Sequence, residues 1–415
     1  MNDVSERAHA SDRVYCGNQD HWAQPMKIRA GQSDARIIVF GLMFDLPFAG
    51  IIAQFLNYLV GLRDLGYDVW YIEDSLSWPY DPRQRTMSSD PASSIRSVAA
   101  MLERHGFGNR WIYRCAVPEV TCFGSSAETL AELYRTADIA LNVTGAQNLR
   151  DEHEELRYVA YVQSDPFGLQ ADVENGDVRL RNQLARHHAF FTFGELVGTT
   201  ASTCPTAGIQ WQPTRQPVAL ALWPFDPSPG TRFTTVTSWR NDAKHRVWQG
   251  QKYYWTKDRE FLAISDLPRR TSAKLELAID GVPPEADELI EHGWRLPDRH
   301  ELTSDVDAYQ SYIVASRGEF TVARDQVVRP RTGWFSDRSA CYLASGRAVV
   351  TQDTGFGDIL PTGDGLFAFA GTDQAVAALD EIERNPVRHG AAARAIAEEY
   401  FAAQHVLSDL LHNLT

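Results

Sequence analysis

The sequence lacks the short motifs that mark most cofactor chemistry. Residues 41–50, which follow the first apolar run, do not read GxGxxG, which argues against a nicotinamide-binding loop. No GxxxxGK[ST] or HExxH is present, so a P-loop kinase and a zinc hydrolase are not indicated, and the DVD at 305–307 falls at the start of a helix read over 305–316 and is not read as a metal–diphosphate triplet. The five cysteines, Cys16, Cys115, Cys122, Cys204 and Cys341, are far apart and make no CxxC or Cys/His metal spacing. Such usage fits reduced thiols in a cytoplasmic protein. No stretch reaches the ~20 apolar residues of a membrane span. The longest helical apolar stretch, residues 51–62, holds Gln54 and Asn57. Residues 1–34 are polar, lack a signal-peptide core, and read as a mobile N-terminal segment. Positive charge is also in deficit: 40 Lys+Arg against 54 Asp+Glu leave a net charge of −14. Sequence-independent nucleic-acid binding needs the opposite sign, although a local basic pocket for a phosphate stays open. The expectation is a cytoplasmic protein with no integral membrane contact, no nucleic-acid partner, no metal and no tightly held cofactor.

What the chain does have is length, apolar content and rhythm. Its 415 residues, 44% apolar and 23% charged, suffice for two domains with real cores. Eleven Trp, 15 Tyr and 19 Phe are enough to build cores and also to line a sugar or nucleobase pocket. Residues 35–40 (ARIIVF) read as a buried strand, 51–65 as a helix stopping at Gly66, and 67–72 as a second strand. Strand–helix–strand order implies parallel pairing. The alternation continues through strands near 111–114, 139–143, 158–162 and 189–193, with helices near 92–105, 126–136 and 181–186. Residues 199–232 interrupt it with six prolines and read as a linker. It then restarts, with strands at 233–238, 274–279, 319–322 and 347–351 and helices between them. The expected fold class is α/β, with two Rossmann-like doubly wound domains facing across a cleft. The first is 35–198, the second 233–390, and a C-terminal helix occupies 391–415.

The carboxyl edge of a parallel sheet is where ligands bind in such folds. In the first half that edge carries Asp45 and Gly50 after the first strand, Asp165 after the strand at 158–162, and Glu195 after the strand at 189–193. Asp45 and Asp165 are the alternatives for a general base on an acceptor hydroxyl. Gly50 allows close ligand approach, and Glu195 is read as a sugar-binding carboxylate. In the second half, Asp353-Thr354-Gly355 follows the strand at 347–351, and Phe320 is a candidate base-stacking ring. His187-His188 is read as a structural pair.

Two α/β halves, a Pro-rich linker and a long terminal helix together resemble the GT-B glycosyltransferases. GYDV at 66–69 resembles the entry to that family's second strand. GWFSDRSACYLASGRAVV at 333–350 resembles its donor-binding helix and following strand, with Ala348 in place of the usual Pro. WPYDP at 78–82, FTFGE at 191–195 and WQPTRQPV at 211–218 are similar to an uncharacterised bacterial subgroup. The resemblance covers about residues 35–412. It implies transfer of a sugar from a nucleoside-diphosphate sugar to a hydroxyl acceptor, such as the aglycone of a natural product.

It also implies that the donor helix and its surroundings bind the diphosphate. Ser336 or Ser339 would cap that helix and donate to phosphate, Arg338 would offer a bidentate fork, and Asp337 lies beside them. Lys257 precedes the first helix of the second half, where the family often carries a cation to the diphosphate; Arg240 is its rival. The loop at Asp353–Gly355 would contact the donor sugar. One departure stands out. The two Glu, separated by seven residues, that many retaining members carry would fall on Gly333 and Cys341, so a retaining mechanism does not follow. With no DxD read as a metal–diphosphate site, cations and helix dipoles are expected to replace a metal. A sugar-nucleotide epimerase or phosphorylase of this fold, and a non-catalytic nucleotide-sugar-binding protein, are the alternatives.

Overall fold

The computed structural model describes residues 35–116, 119–303 and 305–414. The mobility expected of residues 1–34 lies outside the described residues. The chain folds into two α/β lobes. The first is built on an eight-stranded sheet whose order across the sheet is Gln212–Pro213, Ala189–Thr192, Val159–Gln163, Ile139–Val143, Arg36–Phe40, Asp68–Glu73, Trp111–Ala116 and Val120–Phe123. All neighbours pair parallel except the last two, which form an antiparallel hairpin. The central strand shows why the apolar run had to be interior. Ile37 and Val39 join one core with Leu59, Tyr71 and Leu407, while Ile38 and Phe40 join the other with Trp70, Leu130 and Tyr134. A strand covered on both faces needs this continuous β-branched pattern rather than alternation.

The helix Ala49–Asp64 runs back beneath this sheet and stops where Gly66 takes a positive φ of 94°. Gly41, just before it, has no room for a side chain, because a Cβ would stand 2.5 Å from the Tyr71 ring. The second lobe has a five-stranded, all-parallel sheet in the order Leu275–Ala278, Phe233–Val236, Gly318–Thr321, Ala348–Gln352 and Leu366–Phe369. Two Rossmann-like lobes across a crevice are therefore observed, as expected.

Three boundaries differ from the reading of the sequence. The segment 199–232 is not all linker, because Gln212–Pro213 adds an edge strand to the first sheet by pairing with Phe191 and Thr192. The terminal helix is not continuous. Pro386–Ile396 runs into one wide turn, Ala397–Phe401, and the chain breaks at Ala402 before Ala403–His412. At the break the Val218 amide donates to Phe401 O at 2.7 Å, and the Ala403 amide donates to Val218 O at 2.9 Å. The final helix thereby returns to the first lobe, with Ala403 and Leu407 against Gly61. Finally, a hairpin, Arg246–Trp248 with Gln251–Tyr253, leaves the second lobe and grips the first. Arg246 pairs with Asp172 at 2.7 Å, Trp248 Nε1 donates to Glu174 at 2.9 Å, and Asn175 donates to Val247 O at 2.6 Å.

Candidate functional site

The crevice between the lobes is where the start of the helix Ala49–Asp64 meets the start of the helix Asp337–Ala344. Gly50, Gln54, Asn57 and Tyr58 come from the first lobe; Tyr309, Asp337, Arg338 and Cys341 come from the second. Gly50 lets Tyr309 close over it, with the Tyr309 ring 3.9 Å from where a Cβ would stand. The crevice is nearly closed, with a cavity of about 10 Å³, far below the roughly 300–1,000 Å³ typical of ligand sites.

Behind it, at the carboxyl ends of the second sheet, three cations gather with different fates. Arg338 is spent internally. Its Nε donates to Glu319 at 2.5 Å, one terminal nitrogen to Val236 O at 2.8 Å, and the other to Thr321 Oγ1 at 3.1 Å. The expected phosphate fork is thus turned toward a buried carboxylate, and Arg338 lends charge rather than a free fork. Arg324 follows the strand Gly318–Thr321 and crosses the crevice to Asp165. Its guanidinium lies 3.5 Å from the centre of the Trp255 ring, and the Lys244 ammonium is 4.6 Å from the same ring.

Lys257 is the exception. It is 5% exposed, and its ammonium makes no hydrogen bond and no ion pair among the described residues. Burial, reinforced by Arg338 and Arg324, holds it well below the ordinary lysine pKa, with Glu319 and Asp165 opposing. A buried charge without a partner costs several kcal/mol, so this position is stabilised by whatever anion enters.

The helix Asp337–Ala344 has no side-chain cap from Ser336 at its start, although the Asp337 carboxylate accepts from the Arg338 amide. Ser336 occupies the cap position, but its hydroxyl accepts no helix amide and lies 3.5 Å from Asp337 Oδ1. First-turn N–H groups left without a side-chain cap are ready partners for an anion. Ser339 faces the interior, fully buried, with its hydroxyl unpartnered among the described residues.

The remaining sequence candidates are placed elsewhere or are already engaged. Asp45 is 5% exposed and accepts from Tyr113 at 2.8 Å and Ser75 at 2.5 Å, while its own amide donates to Glu73 at 2.5 Å. It belongs to a buried carboxylate network rather than to the crevice. Asp165, the other base candidate, is held by Arg324. Glu195 is gripped by both ends of Arg215, at 2.7 and 2.9 Å, so it is not free for a sugar. Arg240 is exposed and paired with Asp258 and Glu285, at 2.6 and 3.1 Å. Phe320 is 1% exposed and stacked on Phe369, which makes it core rather than a base-stacking face.

Asp353, Thr354 and Gly355 serve the lobe junction. Asp353 accepts from the Gly355 amide at 2.8 Å, Thr354 Oγ1 donates to Trp334 O, and a Cβ on Gly355 would stand 2.8 Å from Leu196. Gly333 is confined in the same way. Its φ is 75° and a Cβ would lie 2.9 Å from the Leu196 backbone, so a glutamate there has no room. His187 is buried, bonded to Asn142 at 2.9 Å, and held near a pKa of about 4 by burial, as a structural histidine should be.

Two acid–histidine groups are close enough to share a metal ligand sphere among the described residues: Asp74 with Glu152 and His153, and Asp280 with Asp298 and His300. In both, arginines take the carboxylates. Arg114 and Arg150 hold Asp74, while Arg299 and Arg85 hold Asp280 and Asp298. Neither lines the crevice.

No protein-family model and no curated protein matches the sequence. Solved structures do match over nearly the whole chain. One is Anabaena Alr3699/HepE in complex with UDP and glucose, at 12% identity and a TM-score of 0.54, covering 92% of this chain and 99% of that one. Another is AviGT4, a glycosyltransferase involved in avilamycin A biosynthesis, at 11% and 0.52, covering 92% and 97%. A third is an alpha-glucosyltransferase in complex with UDP-glucose and DNA containing an abasic site, at 11% and 0.57, covering 92% and 99%. The chain has the GT-B fold. Within it, the crevice lies between the two lobes, and the motif at 333–350 forms the helix Asp337–Ala344 and the strand Ala348–Gln352 beside it. No helix among the described residues is long and apolar enough to cross a membrane.

Gln54, Asn57, Tyr58 and Tyr309 line the crevice without having been assigned to the site from the sequence, and Arg324, which pairs with Asp165 between the lobes, was missed as well. Arg324 had a usable signal, since it stands just past a strand's carboxyl end, the criterion that singled out Asp353. Tyr309 had none, because only tertiary packing brings its helix to Gly50.

Proposed function

We propose that this chain is a glycosyltransferase that takes a sugar from a nucleoside-diphosphate sugar and places it on a hydroxyl acceptor, without a metal at the diphosphate. The observation that carries the proposal is Lys257, a buried lysine whose ammonium makes no hydrogen bond or ion pair among the described residues, near Arg338 and Arg324 at the edge of the second sheet and within the field of Glu319 and Asp165. When the glycosidic bond to the diphosphate breaks, negative charge grows on the leaving oxygen. An ammonium at Lys257, whose charged form burial disfavours until an anion arrives, stabilises it. The uncapped amides at Ser336–Asp337 add the dipole of the donor helix. The UDP-bearing GT-B structures make a uridine donor the first to try. Three cations near one crevice support a metal-free reading.

Admitting a whole sugar nucleotide requires a wider crevice than the present one. The Arg324–Asp165 pair spans it and is the contact to be exchanged, with Arg324 turning to the incoming diphosphate. The test is a thermal-shift panel of UDP, GDP, ADP and dTDP. One of them should raise the melting temperature of the intact chain, and Lys257→Met should abolish that rise. A flat response to all four refutes the proposal.

A further inference from the structure

Both carboxylates that the sequence offered as a base are engaged, Asp45 in a buried network and Asp165 on Arg324. Glu319, the carboxylate behind the crevice, is fully buried and tied to Arg338. A different acid faces the crevice. Asp337 lines it together with Gly50, Gln54, Asn57 and Tyr58 of the first lobe, the half expected to hold the acceptor. Its carboxylate makes no ion pair among the described residues; its contacts are the Arg338 amide and, at 3.5 Å, the Ser336 hydroxyl. We propose that Asp337 is the catalytic residue that binds the acceptor hydroxyl and takes its proton. This rests on the glycosyltransferase reading above.

The step balances as follows. The acceptor O–H gives its proton to the Asp337 carboxylate, and its oxygen forms the bond to the anomeric carbon. The bond from that carbon to the diphosphate breaks, and its electron pair leaves with the diphosphate toward Lys257. No oxidant, reductant or metal is required. The surroundings suit the role. Burial raises Asp337 above the ordinary aspartate pKa, and Asp165 adds to this, while Arg338 and Arg324 oppose it. Tyr58, Tyr309 and Cys341 also face it, each with its own pKa raised by burial, so all three are neutral donors rather than rival anions. A carboxylate made more basic by burial is what proton abstraction needs.

The experiment uses the intact chain and whichever sugar nucleotide raises its melting temperature. Release of the nucleoside diphosphate is followed with water, glycerol and phenol as acceptors. Asp337→Asn should lower turnover about 10²–10⁴-fold with the donor-induced melting shift retained, and should remove the acidic limb of the pH–rate profile. Asp337→Glu should restore part of the rate and that limb. Unchanged turnover with an unchanged pH profile in Asp337→Asn overturns the assignment, and so does a wild-type chain that binds donor but releases no diphosphate to any acceptor. In either case the intact melting shift shows that the donor-site reading survives. Loss of the shift in the wild type removes both.

Discussion

The carboxyl edges of the two sheets hold similar numbers of buried charges and treat them in opposite ways. In the first lobe the buried acids are matched. Asp74 is 0% exposed and is shared among Arg114, Arg150, Tyr134 and His153. Glu73 accepts from Tyr71 and from the amides of Phe44 and Asp45. In the second lobe, Lys257 is deeply buried too and has no partner among the described residues. A satisfied polar cluster rigidifies a loop. An unsatisfied one marks where a ligand completes the structure. By that criterion the first edge is scaffold and the second fits the anion site proposed above, although both occupy equivalent positions in their folds.

The largest effect should come from breaking a matched pair within the otherwise open edge. Arg338→Ala leaves Glu319 buried without a counter-charge and should cost about 3–5 kcal/mol in chemical denaturation. The sequence alone suggests that this change would spare stability; the Glu319 contact reverses that expectation.

Lys257→Met sharpens the contrast from the other side. Losing a charge-assisted contact to phosphate should weaken nucleoside-diphosphate binding by about 1.5–3 kcal/mol, while the ligand-free protein melts higher. A lower ligand-free melting temperature would show that Lys257 is matched after all.

The first lobe carries its own pH signature. Burial lifts Asp45 and lifts Glu73 further, with the Asp45 charge adding to the latter. Both folded values lie above the unfolded ones, 3.8 and 4.5. Their stabilisation is therefore complete below pH ~4 and is lost as pH rises through the folded values. A tenfold change in a group's proton affinity between the folded and unfolded chain is worth about 1.4 kcal/mol. Urea midpoints should fall from mild acid toward neutrality, and Asp45→Asn should flatten that slope.

The smallest effect belongs to Arg240→Ala. Arg240 itself is exposed and lies outside the crevice, and its buried partner Asp258 keeps Thr256, so the melting temperature should fall only slightly and diphosphate affinity should not move. A clear loss of affinity would return Arg240 to the site.

Much of the scaffold was legible because its signals are local. The runs at 37–40 and 139–143 are apolar on both faces, and Gly66 and Gly346 mark where helices end. Leu275–Ala278 aside, edge strands were not legible. Gln212–Pro213 and Leu366–Phe369 are short, and their pairing partners, not their own pattern, make them strands. The site divides in the same way. The motif at 333–350 marked the helix Asp337–Ala344, and Lys257 was placed by its position before a helix. What Arg338, Asp165 and Glu195 do depended on partners 19, 159 and 20 residues away. No spacing rule reports such partners, so three residues that looked available turn out to be occupied.

The return of Ala403–His412 to the first lobe has a consequence for biosynthesis. Leu407, Leu410 and Leu411 are part of the same core as Val39 and Leu59, yet the ribosome makes them only after the entire second lobe. The N-terminal half therefore emerges with an open apolar seam beside Gly61 and must wait, shielded or exposed, until the last turns of the chain arrive to seal it.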